Sequence, residues 1–163
     1  MKYVSQIVAY ALFAVVVGLF SIWPRYALLD PQKAIVSLAF SHAGERIGEC
    51  RRLTQEELNE LPPNMRKPDD CPRRRHPLFV QLKIDQQLLY ESLLQPSGLW
   101  QDGKSNVYQR IRVDAGEHNL FVGMRDSDRQ AGFDYTQEVD LVISPGQNLL
   151  VGFDATSRRF KIQ

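Results

Sequence analysis

Cys50 and Cys71 are the only cysteines in this 163-residue chain, and their sulfur offers the first candidate chemistry. Three outcomes are open to such a pair: a disulfide, two free thiols, or a metal site completed by His76. The spacing fits no standard zinc pattern, and no CxxCH haem-attachment motif occurs. An even count in an oxidising compartment reads as a disulfide. Twenty residues lie between the two, and closing that loop contributes about 3 kcal/mol on a chain-entropy model. A Cys50–Cys71 bridge is therefore expected, with no metal and no cofactor.

Around the cysteines sits a dense basic group: Arg51, Arg52, Arg66, Lys67, Arg73, Arg74 and Arg75. Guanidinium groups suit planar, bidentate acceptors on an acidic protein face or a lipid phosphate. The same stretch holds Glu56, Glu57, Glu60, Asp69 and Asp70, which can neutralise it locally. Both readings stand. Arg66, Lys67, Arg73, Arg74 and Arg75 are the candidate partner-binding cations.

Trp100 is the next candidate. On a loop it either closes the end of a core or offers a platform for a sugar or a partner. Asp126, Asp128 and Asp134 supply hard oxygen ligands of the kind calcium takes. They lack EF-hand spacing and are flanked by Arg125 and Arg129, so a charged hairpin turn is expected instead. His42, His76 and His118 stand apart in sequence. There is no GxSxG, no Gly-rich phosphate loop and no recognisable Ser/His/Asp or Cys/His pattern. The expectation is a non-catalytic protein.

The elements that would position these residues are strands. Residues 34–42 alternate through Val36, Leu38 and Phe40. Residues 78–84 alternate with Leu78, Val80, Leu82 and Ile84 inward, and 87–93 follow after a turn near Asp85. Residues 107–113 and 120–124 flank Asp114-Ala115-Gly116-Glu117, which reads as a hairpin with Gly at a positive φ. Val139, Leu141 and Ile143 precede a Ser144-Pro145-Gly146-Gln147 turn. Leu149, Val151 and Phe153 follow it, and a last strand holds Phe160 and Ile162. Seven or eight short strands, each with one apolar face, predict an all-β domain, an antiparallel β-sandwich. The segments VDAGEHNLFV and ISPGQNLLVGF resemble the hairpins of immunoglobulin-like and PEGA-like extracytoplasmic domains. Residues 43–76 form a long insertion between the first two strands. Within it, Thr54-Gln55-Glu56-Glu57 is a capping-box signature, predicting a short helix over 55–61 that ends at Pro62-Pro63.

Ahead of the domain lies a 22-residue run without charge, residues 3–24. Residues 7–23 give about 25 Å of apolar helix, and adding 3–6 reaches the ~30 Å of a hydrocarbon core. Trp23, Arg25 and Tyr26 suit the headgroup level, and Pro24 stops the helix. The bulky, aromatic end argues against a cleaved signal peptide. The organisation read from this is an anchor over 1–24, a linker over 25–33 and a domain over 34–163. The bilayer is met through residues 4–23. The short tail places the domain outside the cytoplasm, in the periplasm if the source is bacterial. Lys2 is the only charged side chain before Arg25, so residues 25–163 carry nineteen Lys and Arg against nineteen Asp and Glu. That balance gives no field for nucleic acid.

The plan of short tail, one span and small extracytoplasmic sandwich resembles the FixH/CcoH-type accessory subunits of bacterial cytochrome oxidases, in architecture and without a shared motif. It implies an accessory or assembly subunit of a membrane protein complex. The alternative is an envelope ligand- or carbohydrate-binding module, with Trp100 as its platform.

Overall fold

A computed structural model describes residues 2–23 and 30–163. The chain divides into two compact units, Met1–Pro31 and Gln32–Gln163. The first holds helix α1, Lys2–Ile22. Its segment Tyr3–Ile22 is long and apolar enough to cross a membrane: twenty residues rise about 30 Å. The expected stop at Pro24 and the headgroup residues Arg25 and Tyr26 lie outside the described residues.

The second unit is built on ten strands. These are β1 (Lys33–His42), β2 (Arg51–Arg52), β3 (Asp69–Asp70), β4 (Leu78–Ile84), β5 (Gln87–Leu94), β6 (Ser105–Asp114), β7 (Gly116–Arg125), β8 (Tyr135–Ile143), β9 (Asn148–Asp154) and β10 (Arg159–Ile162). Helix α2, Gln55–Glu60, lies between β2 and β3. Two four-stranded sheets carry the unit, one in the order β10-β9-β1-β6 and one in the order β5-β4-β7-β8. Alternation decides which side chains are buried. In β4, Leu78, Val80, Leu82 and Ile84 are buried while Phe79, Gln81 and Lys83 are not. Apolar residues of both sheets join one buried cluster, with Val36, Leu38 and Val151 from the first and Leu82, Leu120 and Val122 from the second.

Three pairings differ from the sequence expectation. β1 runs antiparallel to β6, from Lys33 opposite Asp114 to His42 opposite Ser105. It runs parallel to β9, from Ile35 opposite Asn148 to Leu38 opposite Val151. The first sheet is therefore mixed. Residues 114–117 do not close a hairpin, because β6 belongs to the first sheet and β7 to the second. The connection between β8 and β9 likewise passes from one sheet to the other. Alternating burial with a short Gly-containing link fits a hairpin and a cross-sheet arch equally well, since each leaves one face of each strand apolar. Both arches are tied to the start of β1. Ala115 N donates to Gln32 O at 3.0 Å, Gly146 N to Lys33 O at 2.9 Å, and Ile35 N to Gln147 O at 2.9 Å. Gly116 and Gly146 take φ of +146° and +75°, values that favour glycine.

The true hairpins lie elsewhere. β4 and β5 turn through Asp85 and Gln86, both at positive φ (49° and 66°), as a two-residue type I′ turn needs. β7 and β8 are joined by the charged turn at residues 126–134. That turn sends Phe133 across the outer face of the second sheet. There it stacks on Phe79 at 5.9 Å, and a Cβ at Gly123 would meet its ring at 2.7 Å.

Leu38 is fully buried in the central β1. Leu38→Ala should cost about 2–5 kcal/mol of unfolding free energy. Val142→Ala, at an exposed position of β8, should stay within about 0.5 kcal/mol. Denaturant titration of the detergent-solubilised chain measures both.

Candidate interaction surface

The insertion is a small tied structure. Cys50 and Cys71 are bridged. Arg51 lies opposite Asp70 and Arg52 opposite Asp69 in the β2–β3 ladder, and Leu53 N donates to Pro68 O at 2.9 Å. The capping box forms as expected. Glu57 N donates to Thr54 Oγ1 at 3.3 Å, and Thr54 N donates to Glu57 Oε2 at 2.8 Å. Arg51 Nη1 pairs with Glu57 Oε1 at 2.7 Å, which raises the guanidinium pKa, and the Thr54 N–H first and Arg51 second lower that of the carboxyl. Arg66 turns back to the C-terminal side of α2, donating to Leu61 O at 3.0 Å and Asn59 O at 3.4 Å. Among the described residues, Arg52, Lys67 and Arg73 have no side-chain hydrogen bond or ion pair, and all three are exposed.

The neck of the insertion carries the unexpected arrangement. Its return limb pairs with its outgoing limb: Ile47 N donates to Arg74 O at 2.8 Å, and His76 N to Glu45 O at 2.8 Å. Gly44 is required there, because a Cβ would collide with the His76 carbonyl oxygen. The same return limb holds the loop between β5 and β6. Arg75 N donates to Gln101 O at 3.0 Å, and Arg74 Nη2 to Gln101 Oε1 at 3.0 Å. Arg75 Nε donates to Asp102 O at 2.9 Å, and its Nη1 reaches back to Gly44 O at 2.8 Å. Arg75 is thus a clamp with its donors turned inward.

The clamped loop presents Leu99 at 91 % exposure and Trp100 at 67 %. Trp100 does not belong to the buried cluster. The basic limb and the aromatic loop, 27 positions apart between Arg74 and Gln101, are one surface. The sequence carries no signal for that, since neither segment has a periodicity linking it to the other. Of the candidate cations, Arg73 and Arg74 stay exposed beside this loop, Lys67 and Arg66 belong to the outer part of the insertion, and Arg75 is structural.

Two histidine–aspartate pairs join residues distant in sequence. His42 Nε2 meets Asp126 Oδ2 at 2.7 Å, with side-chain exposures of 12 % and 5 %. The Phe153 ring lies edge-on to His42 at 4.9 Å, and His42 Nδ1 is buried without a partner. The carboxylate of Asp126 is therefore committed inward. That of Asp134 accepts from Asp126 N, Ser127 N and Ser127 Oγ and pairs with Arg129. Burial pushes Asp134 up, but these hydrogen bonds and Arg129 outweigh it and hold its pKa below the usual carboxylate value. Among the described residues, no group of three or more His, Cys, Asp or Glu is placed to hold a metal ion.

At His118, Nδ1 faces Asp85 Oδ2 at 2.6 Å and Nε2 faces the Asp114 carbonyl at 3.0 Å. A carboxylate and a carbonyl only accept, so both ring nitrogens donate when the ring is protonated. The hydrogen bond that His118 donates to Asp85 raises the His118 pKa, against a smaller effect of burial. The Asp85 pKa is lowered by His118 first and by Asn119 N second. The pair joins the β4–β5 turn to the β6–β7 arch.

No protein-family model matches the chain, and no match is found among curated proteins. The geometry above is the ground for a functional reading.

Two outcomes follow from these contacts. Arg75→Gln should lower the thermal midpoint and speed proteolysis of residues 95–103, whereas Arg73→Gln should change neither. For His118, a folded pKa raised above the unfolded value of about 6.5 gives stability that is complete below that pH. It is lost as pH rises through the folded pKa. The depressed pKa of Asp85 gives stability lost as pH falls through it. The thermal midpoint should therefore decline on the alkaline side of about pH 6.5 in wild type, and His118→Gln should remove that slope.

Proposed function

We propose that this protein is a membrane-anchored, non-catalytic accessory or assembly subunit of a membrane protein complex. In this reading α1 lies in the bilayer, and the two sheets pack face to face as an extracytoplasmic, immunoglobulin-like sandwich. Support for the location comes from the apolar length of Tyr3–Ile22 and from the Cys50–Cys71 bridge, which an oxidising compartment maintains. The observation that carries the function is the clamp from Arg74 and Arg75 to Gln101 and Asp102. It holds an exposed indole and an exposed leucine beside free cations on a cross-linked base. Ordering a protruding apolar side chain in advance removes part of the entropy cost of binding. Trp and Arg are the side chains most often found at interface hot spots.

A second reading is favoured by the same exposed indole: an envelope carbohydrate stacked on Trp100. The two separate by experiment. For a complex subunit, replacing α1 with an unrelated span should reduce co-purification of the partner. Arg73→Gln with Arg74→Gln should weaken it by about 0.2–1 kcal/mol per exposed pair and flatten its salt dependence. Trp100→Ala should cost about 2 kcal/mol or more, with an unchanged thermal midpoint. Cross-linking in native membranes with mass spectrometry measures recovery. A ligand module would tolerate the anchor swap and the arginine changes and fail on Trp100→Ala alone. Full recovery of the partner with all of these variants would reject the surface.

A further inference from the structure

β6 is the outer strand of the first sheet, paired with β1 at every position from Ser105 to Asp114 and, among the described residues, with no strand on its other side. An open edge of this length offers unpaired backbone donors and acceptors to another strand. The other edges are blunted. β10 has four residues, the β4–β5 ladder shifts register at Leu82/Lys83, and β8 carries Glu138 and Asp140 either side of its central Val139. β6 also carries charge, Arg110 and Arg112 either side of Ile111, but at ten residues without a register shift it is the longest unbroken edge.

Its sequence is complementary to itself in one register. If two copies join edge to edge in one continuous sheet, a two-fold axis stands normal to that sheet. Residues facing the core in one copy then lie opposite residues facing the core in the other. The axis must therefore pass through a residue and not between two. Centring on Arg110 sets Arg110 against Arg110, and centring on Tyr108 sets Lys104 against Arg112. Centring on Ile111 sets Arg110 against Arg112. Centring on Gln109 places Lys104 opposite Asp114, Asn106 opposite Arg112, Tyr108 opposite Arg110 and Val107 opposite Ile111. No like charges then lie directly opposite. Tyr108, 70 % exposed in the single chain, gains a guanidinium across the pair. The nearest like charges, the two Arg110 and each Arg112 with the second copy's Lys104, sit diagonally at about 7–8 Å.

We propose that β6 pairs antiparallel with β6 of a second copy, centred on Gln109, to make a dimer with an eight-stranded sheet. The two β1 starts then lie at opposite ends of the strand pair. The ten residues 23–32 between α1 and β1 can span at most about 35 Å, which is enough for both copies to enter one membrane. This pairing is independent of the Trp100 surface and of what that surface binds.

The test is oxidative cross-linking of the full-length chain in membranes. Paired Cα atoms lie about 4.5–5.5 Å apart, within the reach of a disulfide. Gln109→Cys should therefore give a covalent dimer, several-fold more than Leu88→Cys on the exposed β5 edge. Asn106→Cys and Arg112→Cys should each dimerise poorly alone and cross-link to each other when differently tagged copies are co-expressed. Intact Cys50–Cys71 in each variant shows that the domain is folded. Three results overturn the proposal. These are no excess of dimer at Gln109→Cys over Leu88→Cys, equal dimer yields at all three single positions, and cross-linking of Gln109→Cys to a different protein.

Discussion

The two-sided pairing of β1 is the constraint on which the rest of the domain depends. One strand is hydrogen-bonded to β6 along its whole length on one side and to β9 in parallel on the other. A parallel neighbour cannot be reached by a tight turn. The chain must leave the first sheet after β6, build β7 and β8 in the second, and come back for β9. Both arches that make these crossings bond to the backbone at the start of β1. Val36 and Leu38 join the buried cluster from this same strand. Pairing, crossing and core filling therefore converge on ten residues.

β1 also separates the ends of the domain. Its first residue follows the segment leading from α1, and its last, His42, precedes the insertion. The strand is about 30 Å long, so the clamped loop and the insertion stand at its His42 end, opposite the end that holds Lys33. At this far end the buried His42–Asp126 pair anchors the strand, and Asp126 O accepts from Glu45 N where the insertion begins. The end of β1, the neck and the Trp100 loop are thereby joined in one hydrogen-bonded chain of contacts. A disulfide farther out keeps the two limbs together.

The cations sort by geometry more than by type. Arg66 and Arg75 donate to backbone carbonyls, groups that would otherwise lack partners at a helix end and in a loop. Arg51 completes a capping network. Such arginines contribute to local order and have few donors left for another molecule. Arg73 and Lys67 keep theirs, and Arg74 spends one on Gln101 Oε1. A count of positive charges in the insertion thus overstates its capacity to attract a partner, and the exposed aromatic loop beside it carries as much of the argument as the charge does.

The sequence by itself determined the elements. The uncharged run set α1, period-2 alternation set β4 and β9, the turn near Asp85 set the start of β5, and Thr54 with Glu57 set the start of α2, because each rests on contacts within a few residues. The disulfide was legible from an even count in a chain with an apolar leader segment. The pairing was not legible. A short link such as Asp114-Ala115-Gly116-Glu117 leaves the same alternating pattern whether it turns a hairpin or crosses between sheets, so the mixed first sheet appeared only with long-range contacts. The site followed the same division. Trp100 and Arg73–Arg75 stood out one by one as residue types, but the sequence left Trp100 open between closing a core and standing on the surface. Only the tertiary fold brought residues 73–76 against 99–102 and turned Arg75 inward and Trp100 outward. Hydrogen bonds between segments 27 positions apart have no local periodicity to announce them. His118 with Asp85 and His42 with Asp126 were hidden for the same reason.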